Sequence, residues 1–96
     1  MSTLHVIAHS PFGDNRLTSC LRLLGPDDGL LLCGDAVYAL QPGSAPLAGL
    51  STIASRLFAL EEDLLARGIT DSPASAVDYP AFVALSLNYD KVNSWL

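Results

Sequence analysis

Ninety-six residues hold five Lys or Arg and ten Asp or Glu, a net charge of −5 in a chain 50% hydrophobic and only 16% charged. The five basic residues (Arg16, Arg22, Arg56, Arg67, Lys91) are scattered, which excludes a phosphate-gripping nucleic-acid surface, and no apolar run nears the roughly 18 residues of a membrane span. A small domain has much surface for its volume, so one with so little charge is expected to leave apolar area for an oligomeric partner to cover.

Thr3–Ala8, with Val6 and Ile7, reads as a first strand, and His9-Ser10-Pro11-Phe12-Gly13 as the loop at its carboxyl end. A helix follows from Asn15, capped by Asp14 or Asn15. Leu17, Cys20, Leu21 and Leu24 recur at helical spacing until Gly25-Pro26 stops it. Gly29–Cys33 is a continuous apolar run of the kind found in central parallel strands. Gly34-Asp35 turns the chain, Ala36–Leu40 suits a brief helix, Gln41–Ala45 a loop, and Leu47–Ser55 a further helix. Arg56–Leu60 is the third strand. Glu61–Arg67 is its helix, with carboxylates at the positive end and Gly68 as the stop. Ser75–Asp78 is a short fourth strand. Asp78 is placed to cap a helix over Tyr79–Asn88, with Pro80 tolerated in its first turn, Phe82, Val83 and Leu85 inside and Leu87 a further candidate for the inner side. Tyr89–Leu96 reads equally as tail, strand or helical turn.

Strand and helix alternate through short links. That order predicts a single α/β domain over residues 1–96, a three-layer α/β/α fold with an open, mostly parallel sheet of four to five strands. The first apolar run is short and lacks a basic flank, unlike a signal peptide, so a cytoplasmic setting is expected. There Cys20 and Cys33 are expected as free thiols.

The sequence has no GxGxxG and no GxxxxGK[ST] to cradle phosphate. His5, His9, Cys20 and Cys33 lack the close cysteine pair of a zinc site, so no metal and no cofactor is expected. Glu61-Glu62-Asp63 reads as dipole-complementing surface rather than as acid and base, and Ser10 beside His9 has no nucleophile elbow. The thiols carry more weight. Cys20 lies within a leucine stripe, which favours burial, yet Arg16 one turn earlier supplies a positive field for a thiolate. Cys33 ends a strand at the carboxyl edge, where open α/β sheets take ligands, and it too continues an apolar run. Trp95 near the chain end needs a cover, from its own domain or from a neighbour.

Leu4-His5, Ser10-Pro11-Phe12, Ser19-Cys20-Leu21 and the Leu30–Leu32 run leading to Asp35 and Val37-Tyr38-Ala39 are followed by Ala59-Leu60-Glu61-Glu62-Asp63-Leu64, Ala66-Arg67-Gly68, Val77-Asp78-Tyr79, Phe82-Val83 and Trp95-Leu96. Taken in this order, these blocks resemble the DsrH/TusB family of sulfur-relay subunits. The resemblance implies a DsrE-like fold and a cytoplasmic heterohexamer built from three homologous subunits, two copies of each. In the TusBCD branch, a TusB-like chain sits with TusC-like and TusD-like subunits. The complex passes persulfide sulfur from a TusA-like donor to a TusE-like acceptor for 2-thiolation of tRNA wobble uridine. The main carrier cysteine there belongs to the TusD-like subunit, which leaves the TusB-like chain a docking role. In the DsrEFH branch of sulfur oxidation, Cys20 matches the DsrH-type cysteine and is the candidate persulfide carrier. Where the family often reads Asp-Gly-Val-Tyr this chain has Asp35-Ala36-Val37-Tyr38, so that position is expected to have no positive φ.

Overall fold

The computed structural model describes residues 2–13 and 15–95; Asp14, one of the two candidate caps, and Leu96 lie outside them. Strands β1 (Thr3–Ile7), β2 (Gly29–Leu32), β3 (Leu57–Leu60), β4 (Ser75–Val77) and β5 (Lys91–Trp95) form one sheet in the order β4-β3-β2-β1-β5. Every pairing is parallel. Parallel neighbours need crossovers. Helices α1 (Arg16–Leu23), α2 (Leu47–Ser51), α3 (Glu61–Ala66) and α4 (Tyr79–Ser86) supply them, together with 3-10 segments at Gly34–Leu40 and Ala54–Arg56.

The strand order dictates the layers. From β1 to β4 each step moves the same way across the sheet, whereas β4 to β5 returns past three strands to the far side of β1. With right-handed crossovers, α1, α2 and α3 fall on one face and α4 alone on the other. The core follows this division. On the first face Ile7, Leu30, Leu32, Leu57 and Ala59 pack with Leu17, Cys20, Val37, Leu50 and Leu64. On the second, Leu4, Leu31 and Leu60 are joined by partly buried Phe58, Val77, Phe82, Leu85 and Tyr89. Central β2 is covered on both sides, which explains its unbroken leucines.

Local chemistry sets the element ends. Helix α4 starts where the Asp78 carboxylate accepts the Ala81 N–H at 2.8 Å, with Pro80 in the first turn as expected. Helix α3 stops as Gly68 takes a φ of +64° and the Ile69 N–H reaches back to the Leu64 carbonyl at 3.0 Å. Helix α1 begins after Asn15, whose side chain makes no capping bond. Helix α2 is shorter than its expected Leu47–Ser55 span. The hydroxyls of Ser51 and Thr52 donate to the carbonyls of Leu47 and Gly49, and the chain leaves through the 3-10 turn at Ala54–Arg56. Ala36 lies within the earlier 3-10 segment and has no positive φ.

The open expectation for the chain end resolves as a strand. β5 pairs with β1 from Thr3↔Lys91 to Ile7↔Trp95. Tyr89, just before it, crosses β2 so closely that a Cβ on Gly29 would overlap the phenol; that approach requires glycine here.

Candidate functional site

Helix α1 turns Leu17 and Cys20 into the core beneath three helices. Cys20 is fully buried. Burial first, and the charge of Asp28 second, push its thiol up to about 12. Both influences oppose a thiolate, the opposite of the activating field expected from Arg16, and in this fold Cys20 is a small packed hydrophobe.

Asp28 organises the amino ends of the central strands. Its Oδ1 accepts the Thr3 N–H at 2.9 Å and its Oδ2 the Gly25 N–H at 2.8 Å. Arg56 closes the same turn, donating to the carbonyls of Gly25 at 2.6 Å and Asp28 at 2.8 Å. Partial burial raises the Asp28 carboxyl, but the amide bonds and nearby His5 outweigh it, and the group ends below its ordinary value. His5 is buried and lies between this carboxylate and the last strand. Its Nε2 stands 3.5 Å from Asp28 Oδ2, while its Nδ1 accepts the Trp95 Nε1–H at 3.0 Å. Trp95 is therefore covered by its own domain. From sequence alone His5 is a plain strand residue, and the roles of Asp28 and Arg56 escape notice altogether. The Gly25-Pro26-Asp27-Asp28-Gly29 turn is the available signal, since an Asx side chain there commonly binds turn amides.

At the carboxyl ends of the strands, Cys33 is half-buried and its Sγ lies 3.6 Å from the Ile7 carbonyl. Burial, then the charge of Asp63, raises its thiol above the ordinary value. Asp63 accepts the Gly34 N–H at 2.8 Å. Arg67 reaches Asp35 at 2.9 Å and Asp63 at 3.5 Å and stacks 5.5 Å over Tyr38. These bonds tie α3 to the loop after β2, so Asp63 serves as a strut. Nearby, Phe12, Leu17, Leu21, Arg22 and Pro46 line an open groove of about 550 Å³, apolar apart from its basic rim. Among the described residues, no three His, Cys, Asp or Glu side chains converge as metal ligands. Exposed His9 and buried His5 are not brought together into a site with the two thiols.

The arrangement serves packing, and both thiols are raised above their ordinary value by burial. Its largest unexplained feature is α4, an apolar helix without a buried residue. Tyr79, Val83 and, just past its end, Leu87 are exposed, so Val83 and Leu87 do not take the inner side expected of them, which Phe82 and Leu85 occupy.

The family described as DsrH like protein matches residues 9–92. Protein TusB of Erwinia tasmaniensis is 40% identical over 95 residues, covering 96% of this chain and 99% of that one. Protein TusB of Escherichia coli strains is 35% identical over the same share. The chain belongs to the DsrH/TusB family. That membership places it among sulfur-relay subunits, and the alignments run through both thiols and the turn that holds Asp28. In fold it is similar to MTH1491 of Methanobacterium thermoautotrophicum, a protein of unknown function. That match has a TM-score of 0.65 at 12% identity, with 96% of each chain covered. No helix among the described residues is long and apolar enough to cross a membrane.

Proposed function

We propose that this DsrH/TusB-family chain is a TusB-like subunit of a cytoplasmic sulfur-relay complex for 2-thiolation of tRNA wobble uridine, and that it works mainly by docking. Its companions are homologous TusC-like and TusD-like subunits in a heterohexamer, with a TusA-like donor and a TusE-like acceptor visiting in turn. The sulfur moves by exchange: a carrier thiolate attacks the outer sulfur of a donor persulfide, the S–S bond breaks, and the donor leaves as a thiolate. No net oxidation is needed. One observation carries the docking role for this chain. In a sequence aligned end to end with TusB proteins, Cys20 is wholly buried and its thiol is held protonated up to about 12.

Co-expression with TusC-like and TusD-like partners tests the reading. Co-purification as one complex is expected, and failure to co-purify overturns it. The DsrH-like alternative, a persulfide on Cys20, would require α1 to lift off the sheet. Intact-mass measurement after incubation with a persulfide donor tests it directly. A gain of about one sulfur atom that disappears in Cys20→Ser would replace the docking reading with the carrier reading.

A further inference from the structure

Strand β5 is held to the sheet by few side chains. Lys91 to Ser94 are exposed, and of its residues only Trp95 packs against the core. The amino end of the strand is tied by a reciprocal pair. The Ser2 N–H donates to Asp90 Oδ2 at 2.9 Å, and the Asp90 N–H donates to Ser2 Oγ at 3.2 Å. The carboxyl end is tied by the bond from Trp95 to buried His5.

That second bond fixes where the protons are. An indole N–H donates and cannot accept, so His5 Nδ1 must present its lone pair to it. The neutral ring therefore keeps its proton on Nε2, which is buried, without a hydrogen-bond partner, and 3.5 Å from Asp28 Oδ2. A second proton has one place to go, Nδ1, where it would meet the indole N–H head-on. Two donors cannot share the 3.0 Å contact, so a charged His5 and the Trp95 bond exclude each other.

The surroundings decide which of the two gives way. The Asp28 carboxylate is fixed by the Thr3 and Gly25 amides and offsets the cost of burying a charged imidazole beside it. It belongs to the turn before β2 and stays next to His5 whether or not β5 is docked. Asp28 therefore draws in the proton without holding the strand. Arg56 is engaged by the carbonyls of Gly25 and Asp28. Helix α1 brings the buried Cys20 thiol and carries Arg16 and Arg22, and exposed Lys91 pairs with Thr3. Of all these side-chain types, only histidine ordinarily changes charge between about pH 5 and 8.

We infer that His5 is a proton-operated latch: on taking up a proton it releases Trp95, and the carboxyl end of β5 swings off the outer edge of β1. The Ser2–Asp90 bonds keep the amino end attached and make Asp90 the pivot. The released form binds the proton more tightly than the closed form. Docking of β5 is thus complete above the titration, and release grows by up to about tenfold for each pH unit lost through it. The backbone groups of β1 that β5 had covered then become free to pair with another strand. The inference rests on the geometry at His5 and is independent of the sulfur-relay reading.

Trp95 is the sole tryptophan, so fluorescence of the full chain reports the latch directly. From about pH 8 to about 5.5 its emission should shift to the red and acrylamide quenching should rise at least about twofold, with helical circular dichroism retained. His5→Asn puts an amide oxygen near the Nδ1 position, where it accepts the indole proton at every pH, and should abolish the change. His9→Asn should leave it intact. A second measurement does not depend on the His5→Asn variant folding. In Trp95→Phe the imidazole signals of His5, followed by NMR, should titrate about 0.5–1 pH unit higher than in wild type, the equivalent of one ordinary hydrogen bond. Flat quenching across this range, the same change in His5→Asn, or an unmoved His5 titration in Trp95→Phe overturns the latch.

Discussion

On one side of the sheet, Ile7, Leu30, Leu32, Leu57 and Ala59 meet side chains from three helices; on the other, Leu4, Leu31 and Leu60 meet chiefly one. The same strands supply both faces, so composition within the sheet is not the cause. The cause is strand order. Three crossovers run one way and a single crossover returns, leaving the second face one helix where the first has three. The first face holds the fold together and also locks away Cys20. The second leaves apolar helix surface in water, which suits an assembly subunit. Apolar exposure is not confined to that face, since Phe12, Leu23 of α1 and Leu65 of α3 are exposed beside the first.

Core truncations should separate the faces most strongly. Leu30→Ala opens a cavity under three helices and should cost about 3–4 kcal/mol, near the upper part of the range for buried leucine. Leu85→Ala, half-buried on α4, should cost about 1–2 kcal/mol, because neighbouring side chains and water fill the space. Urea unfolding of both variants measures the difference, and equal costs would erase the contrast between the faces.

Gly29→Ala probes the place where the second face is tight. Its Cβ would collide with Tyr89, which must swing away and loosen the link from α4 into β5. A loss of about 1–3 kcal/mol is expected from overpacking, and most of it should be recovered in a Gly29→Ala/Tyr89→Ala double variant relative to Tyr89→Ala alone. Additive costs would place the strain elsewhere.

Two titrations report the first face from opposite ends of the pH scale. The folded Asp28 carboxyl lies below its ordinary 3.8, so its contribution is complete above that value and is lost as pH falls below it through the folded value. Asp28→Asn should flatten that acid limb and cost about 1–2 kcal/mol at neutral pH, since charge-assisted bonds to the Thr3 and Gly25 amides are weakened. The folded Cys20 thiol is raised from 9.0 to about 12, so its contribution is present below pH 9 and declines as pH rises from there towards 12. Chemical denaturation across pH in Cys20→Ala should show that alkaline decline reduced. An unchanged slope would mean that the thiol is not shielded in the folded chain.

Much of this is legible from local pattern. The runs Leu30–Leu32 and Leu57–Leu60 are strands because both of their faces are covered, and the acids at Glu61-Glu62-Asp63 mark a helix start because they complement its dipole. Asp78 caps as its position predicts. What escapes are consequences of long-range pairing. Lys91–Trp95 has little strand character of its own and becomes β5 through β1, nearly ninety residues earlier, and through the bond from Trp95 to His5. Cys20 is legible as a stripe member, but the sign of the charge acting on it depends on Asp28, which folding brings close. The exposure of α4 leaves no periodic mark, because Tyr79-Pro80-Ala81-Phe82-Val83-Ala84-Leu85 is apolar on every side. Only the strand order reveals which side lacks a cover.

The smallest expected effect sharpens the comparison most. Leu87 is 80% exposed, so Leu87→Ser removes little surface that folding had buried. Serine is also a mild change at the end of a helix, where Leu87 is the C-cap. Stability of the dilute chain should therefore move by less than about 0.5 kcal/mol. A buried leucine on the other face responds several times more strongly to the same loss of apolar volume. A cost near 2 kcal/mol at Leu87 would mean that its side chain already has an intramolecular cover, and the second face would then need no further partner.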